Sequence, residues 1–217
     1  MLGNANSIVI IIGWICTVLL GAAICRNSFP NQKELSRKIV HIGTGPVIPL
    51  AWFLGISAEL AIPVAIIITI ALIINHRIRL LPALEDVNRQ SYGTIAYGIS
   101  ISFLLILLWP DHAAAVTAGV LMMSFGDGLA GLIGRQVNSS NWIIFGQRKS
   151  LAGTLTMGLT GIIVLLLIMT FSASVISPLS ILLIAGLAMG LEQISPLGID
   201  NLTVPIGVAY GWLWLSN

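Results

Sequence analysis

The run AAAVTAGVLMMSFGDGLAGLIGR, residues 113–135, decides what kind of protein this is. It is long enough to cross a hydrocarbon core as a helix, which takes roughly 20 residues at about 1.5 Å each. Yet one carboxylic acid, Asp127, stands about seven residues inside its apolar length. An unpaired carboxylate there is expensive. Ser124, Asp127, Gly131 and Gly134 fall at i−3, i, i+4 and i+7, so a straight helix puts the acid on a face stripped of bulk. Such a face suits two things. It lets phosphates and a divalent cation approach backbone and carboxylate together, and it also suits close helix packing with Asp127 in an ion pair.

The rest of the chain has the same apolar character. Of 217 residues, 57% are hydrophobic and 8% charged, where a soluble domain carries about a quarter charged. Mean hydropathy is +0.99. Apolar runs near residues 8–25, 39–55, 58–75, 94–109, 113–134, 152–171, 177–194 and 203–215 predict an all-α polytopic integral membrane bundle of about seven to eight transmembrane helices. The last run is short enough to be tilted or partial. These segments and their connections use almost every residue, so a single membrane domain over residues 1–217 is expected. The first run has no basic residue before it and no small-residue cleavage pattern after it, and reads as a retained span.

Charge supplies orientation. Arg26, Lys33, Arg37 and Lys38 lie between the first two runs, Arg77, Arg79 and Arg89 between the third and fourth, and Arg135, Arg148 and Lys149 between the fifth and sixth. The alternate connections have none, which predicts three cytoplasmic basic loops and an outward N-terminus. Glu192 and Asp200 then share the cytoplasmic side, while Glu59 and Asp111 fall on the other. A net charge of +2 excludes a nucleic-acid partner argued from charge. Cys16 and Cys25, nine residues apart on one helix, cannot pair.

Three further patches join Asp127 on that side. Arg148-Lys149-Ser150 precedes the sixth run with Gly153 and Thr154 in its first turn, so two cations, an N-cap serine and free helix N–H groups converge as an anion site. A snorkelling juxtamembrane pair is the plainer alternative. It is not a Walker A loop, because Arg148 occupies the position where glycine must precede Lys-Ser. Arg37, Lys38 and His41 lie within about one turn at the start of the second run. The two cations suit phosphate or lipid headgroups, and His41 suits phosphate orientation, proton transfer or a structural contact. Glu192 ends the seventh run, and Asp200-Asn201 precede the eighth as site residues or simple turn residues. Gly186/Gly190 and Gly207/Gly211 read as helix packing. His76, Arg77, Arg79, Glu85, Asp86 and Arg89 read as a solvated mixed-charge loop, and Asp111-His112 as a plain outer turn.

At these patches the chain resembles the integral-membrane polyprenol kinase family, which includes dolichol, phytol and farnesol kinases. The resemblance rests on Arg37-Lys38-x-x-His41-x-Gly43-x-Gly45, Tyr92-Gly93-Thr94, Asp127-Gly128-x-Ala130-x-x-x-Gly134-Arg135, Gly146 with Lys149-Ser150-x-x-Gly153-Thr154, and Asp200-Asn201-x-x-x-Pro205. It implies CTP-dependent phosphorylation of a membrane-embedded isoprenoid alcohol at the cytoplasmic face of a plasma or photosynthetic membrane. The chain is shorter than dolichol kinases, which favours phytol, farnesol or geranylgeraniol as acceptor.

On this reading Asp127, Asp200, Lys149 and His41 are catalytic, with Asp127 and Asp200 holding Mg²⁺. Arg37, Lys38, Gly128, Gly131, Gly134, Arg135, Arg148, Ser150, Gly153, Thr154 and Asn201 bind the nucleotide. The partners are therefore an isoprenoid alcohol, a nucleoside triphosphate and the bilayer. Two rivals share the features: a cytidylyltransferase acting on a lipid phosphate, and a small transporter using Asp127 as an intramembrane ion site.

Overall fold

All eight apolar runs are helical, as they must be if backbone N–H and C=O groups are to be satisfied without water. The computed structural model describes residues 4–78, 92–172 and 174–216; Arg79, Glu85, Asp86 and Arg89 of the expected mixed-charge loop lie outside the described residues. The order is α1 (Asn4–Ser28), α2 (Lys33–Thr44), α3 (Val47–Phe53), α4 (Ala58–Ile78), α5 (Gly93–Leu108), α6 (Ala113–Leu121), a π-helical stretch (Met122–Asp127) and α7 (Gly128–Gln136). Strands β1 (Asn141–Ile144) and β2 (Gln147–Ser150) follow, then α8 (Leu151–Ser172), α9 (Pro178–Ile194) and α10 (Asp200–Leu215). Four helical segments are long and apolar enough to cross a membrane: Ala5–Ser28, Ala58–Ile78, Ala113–Gln136 and Leu151–Ser172. This is an all-α membrane protein with one small hairpin.

Three local features depart from the simple reading of the sequence. The second run is two helices, α2 and α3, broken at Gly45-Pro46, where proline removes a helix N–H donor. The fifth run passes through π-helix between α6 and α7, a wider turn than the α-helix and one often found at functional sites. The connection from α7 to α8 is an antiparallel hairpin pairing Asn141 with Ser150 and Ile144 with Gln147. Phe145 and Gly146 turn it, both with positive φ, 48° and 73°. That conformation matches a two-residue turn whose twist suits the strands.

The segment with the acid is the centre of the bundle. About 61% of the Ala113–Gln136 window is buried, against 17% in α1 and 11% in α4, so the latter two are peripheral and meet lipid. Met122, Met123, Met157, Leu165, Ile184, Val204, Val208 and Trp212 form the enclosed core. α6 crosses α10 so closely that a Cβ on Gly119 would collide with the Pro205 carbonyl. Of the expected packing glycines, Gly207 meets Leu191 and Gly211 meets Ile184. Gly186 and Gly190 instead face open space, because they lie on the outer side of α9.

Candidate active site

Five elements bring charged ends to one place: the start of α2, the junction of the π-helical stretch with α7, β2, the end of α9 and the start of α10. Lys38 on α2 reaches across to Asp127, its Nζ donating to Oδ2 at 2.7 Å and to the Asp127 carbonyl at 3.2 Å. One turn on, His41 Nε2 lies 3.3 Å from the Met123 carbonyl oxygen and 3.5 Å from Asp127 Oδ2, and its ring leans on Tyr97 at 5.0 Å between centroids. Asp127 is thus both ion-paired and available on a cavity wall.

The hairpin delivers the second half. Strand alternation sends Lys149 and its partner Trp142 inward, while Arg148 and Ile143 face outward. Arg148 and Lys149 line the same cavity but at different depths: Lys149 is half-buried, and Arg148 is exposed at the rim. Lys149 is ion-paired with the Glu192 carboxylate, and its Nζ donates to the Glu192 carbonyl at 2.9 Å. Gln193 locks this corner: it accepts from Trp142 Nε1 at 2.9 Å and donates to Thr154 Oγ1 and Glu192 Oε2 at 2.8 Å each. Ser150 caps α8, accepting from the Gly153 N–H at 3.2 Å and donating to the Gly134 carbonyl at 3.1 Å.

Asp200 opens α10. Its Oδ1 accepts from the Asn201 N–H and Nδ2, both at 3.0 Å, and no ion pair to it exists among the described residues. One ligand oxygen from each of Asp127, Glu192 and Asp200 lies within 4.8 Å of the others. Hard carboxylate donors gathered this closely suit Mg²⁺, which takes one or two carboxylates and completes its shell with phosphate oxygens and water. The residues therefore fit the expected ion, with Glu192 added to the two acids anticipated.

All the anticipated site residues line one cavity of about 1320 Å³ except Gly128. Gly128 faces Ile42 on the opposite side, where a Cβ would collide. Ser124 leaves the Asp127 face too: it is fully buried against Gly45, because the π turn changes the angle per residue. A Cβ on Gly131 would sit 2.9 Å from Lys38 Cε, so that glycine gives the lysine its path. Gly134 and Gly153 let α7 and α8 close around Ser150.

Two acids were not assigned to the site from sequence. Glu192 carried a readable signal, an acid ending an apolar run on the cytoplasmic side by parity. Glu34 bonds Arg37 at 2.5 Å and Arg135 at 3.2 Å, tying α2 to α7 at the cavity mouth. Burial alone would raise its pKa, but the Arg37 charge and hydrogen bond, with Arg135 behind, hold it below the ordinary value. Its three-residue spacing from Arg37 was the cue.

The same cavity continues away from the charges into an apolar arm between α1, α3, α4 and α5, walled by Ile15, Ile48, Leu60, Ile68 and Ile101 among others. Carboxylates and cations at the head of an apolar chamber, inside a membrane bundle, define an enzyme that handles a polar group on a lipid-soluble body. The chain is 38% identical to a phytol kinase of Synechocystis sp., over 92% of this chain and 89% of that one. It is 28% identical to phytol kinase 1, chloroplastic, of Arabidopsis thaliana over 78% of this chain, and 26% identical to the farnesol kinase, chloroplastic, of the same plant over 66%. The chain spans 61% and 50% of those two plant proteins' lengths. No family model and no solved structure matches it. The chain belongs to the polyprenol kinase family, and it is a kinase with an alcohol acceptor.

Proposed function

We propose that the protein transfers the γ-phosphoryl group of CTP to the hydroxyl of phytol, farnesol or geranylgeraniol at the cytoplasmic membrane face. The observation that carries this reading is the continuity of one cavity from the three-carboxylate head to the apolar arm. An isoprenoid tail is matched to the arm, and a triphosphate to the head. The relatives' names supply the alcohol class, and CTP rests on the motif resemblance around Asp127 and Lys149.

Phosphoryl transfer depends chiefly on alignment and charge neutralisation. Lys149, with Arg37 and Arg135 at the mouth, holds phosphate oxygens; the N–H groups that open α8 are not free for this, because those of Leu151, Ala152 and Gly153 donate to the Ser140 carbonyl, Ser139 Oγ and Ser150 Oγ. Asp127, Asp200 and Glu192 would hold Mg²⁺, which would offset the negative charge of the phosphates. Lys38 and His41 fix the Asp127 carboxylate. Asp200, which forms no direct ion pair among the described residues, takes the proton of the alcohol as the alcohol oxygen attacks the γ-phosphorus and the bond to the β-phosphate oxygen breaks. The products are the prenyl monophosphate and CDP.

The test uses purified protein, Mg²⁺, each nucleoside triphosphate and the three alcohols. Label from the γ-phosphate is expected on the lipid, with CTP preferred. Label recovered in pyrophosphate would instead indicate cytidylyl transfer, and nucleotide-independent uptake by sealed vesicles would indicate transport.

A further inference from the structure

The apolar arm is not walled on every side. α1 packs along α2 and α3, and α4 packs along α5, whereas among the described residues α1 and α4 share at most a marginal contact. Both nevertheless line the arm, from Ile8 to Leu19 on α1 and from Leu60 to Leu72 on α4. Several of these lining residues are accessible rather than sealed in: Ile12 is 55% exposed, and Val64 and Ile68 are 45% exposed. An accessible apolar wall shared by two helices that scarcely touch marks an opening in the arm. We propose that the slot between α1 and α4 is a lateral portal that admits the isoprenoid tail from the bilayer and holds its far half. This rests on the isoprenoid-alcohol reading above.

Lengths support that occupant. The lined stretch of each helix rises about 16–18 Å at about 1.5 Å per residue. An isoprenoid backbone advances roughly 1.25 Å per carbon, given C–C bonds of about 1.5 Å in zigzag. Three isoprene units, about 15 Å, therefore nearly fill the arm, and a fourth, about 20 Å in all, extends past the lined stretch toward the head. Val64 lies about 12 Å along α4 from Leu72, which is beyond a two-unit tail of about 10 Å but within the path of a four-unit tail.

The experiment compares Val64→Trp and, on the facing wall, Ile12→Trp with Ile67→Trp and Val9→Trp, which are lipid-exposed but do not line the arm. Geranylgeraniol is the long acceptor; geraniol, read as acceptor or as competitive inhibitor, is the short probe. The portal predicts that either slot variant lowers kcat/KM for geranylgeraniol about tenfold. Geraniol and the nucleotide KM should stay within about twofold, and the control variants should match the parent. Two slot variants guard against one failing to fold. Equal loss with both alcohols, equal loss in the controls, or no loss in either slot variant overturns the proposal. If the parent protein phosphorylates no isoprenoid alcohol, the functional reading fails; if it does and the slot variants behave like the controls, only the portal fails.

Discussion

Asp127 and Lys38 are joined at 2.7 Å with side chains 17% and 8% exposed, so each is the other's condition for burial. Removing one partner of a buried pair strands the other and costs about 3–5 kcal/mol. Asp127→Asn is therefore expected to lower the melting temperature in detergent as well as phosphotransfer. Asp127→Asn with Lys38→Met should regain much of that stability while activity stays down at least about 100-fold, the scale of losing a group that stabilises transition-state charge. Recovery of activity in the double variant would show that Asp127 serves only packing. Glu192→Gln separates structure from metal differently. It breaks the Lys149 pair, and if Glu192 helps hold Mg²⁺, the Mg²⁺ concentration for half-maximal rate should rise about tenfold with little change at saturation. Asp127 and Lys149 were legible in the sequence because a charge inside or capping an apolar run is costly and so conspicuous. Glu34 was hidden because an acid beside three nearby bases reads as ordinary surface.

The elements that hold these residues were legible as runs but not as shapes. Apolar length gives a helix, because the bilayer allows little else. It does not say that residues 122–127 widen into a π turn, and that turn is why Ser124 leaves the Asp127 face. Nor did composition announce the hairpin: its turn is Phe145-Gly146, where asparagine or aspartate before glycine is the usual cue. The strand pairing sets Lys149 deeper in the shared cavity than Arg148, a difference in depth that the sequence did not announce. Gly146 tests this element. A Cβ there would meet nothing within 4 Å, so Gly146→Ala acts only through its φ of +73°. A left-handed alanine costs about 1–2 kcal/mol. If the hairpin presents Lys149 to the nucleotide, the nucleotide KM should rise about fivefold to tenfold while the alcohol KM holds. A larger change in the alcohol KM would mean that the hairpin serves the apolar arm instead.

At the scale of the whole molecule, the charged chemistry sits at the starts of α2, α8 and α10 and the ends of α7 and α9. Successive helices that alternate in direction put those termini at one end of the bundle, and the shared cavity agrees. The positive-inside rule predicts that this end faces the cytoplasm, since the connections bearing Arg37, Arg77 and Arg148 are basic and those near Ile56, Pro110 and Ser174 are not. Sidedness then becomes an activity measurement. CTP does not cross a sealed bilayer, whereas an isoprenoid alcohol dissolves in it, so only the nucleotide reports which face is open. In inside-out vesicles the cytoplasmic face meets the medium, and added CTP should support full phosphorylation. In right-side-out vesicles activity should be latent, falling about tenfold or more, and detergent should release it. Equal rates in intact right-side-out vesicles would reverse the orientation and place the carboxylate head on the outer face. A further check is independent of catalysis: if all eight apolar runs cross, the chain returns to its starting side, and tags at the two ends should both be accessible from outside. Protection of one tag alone would mean that one of the eight helical segments, the short α10 first among them, stops within the membrane.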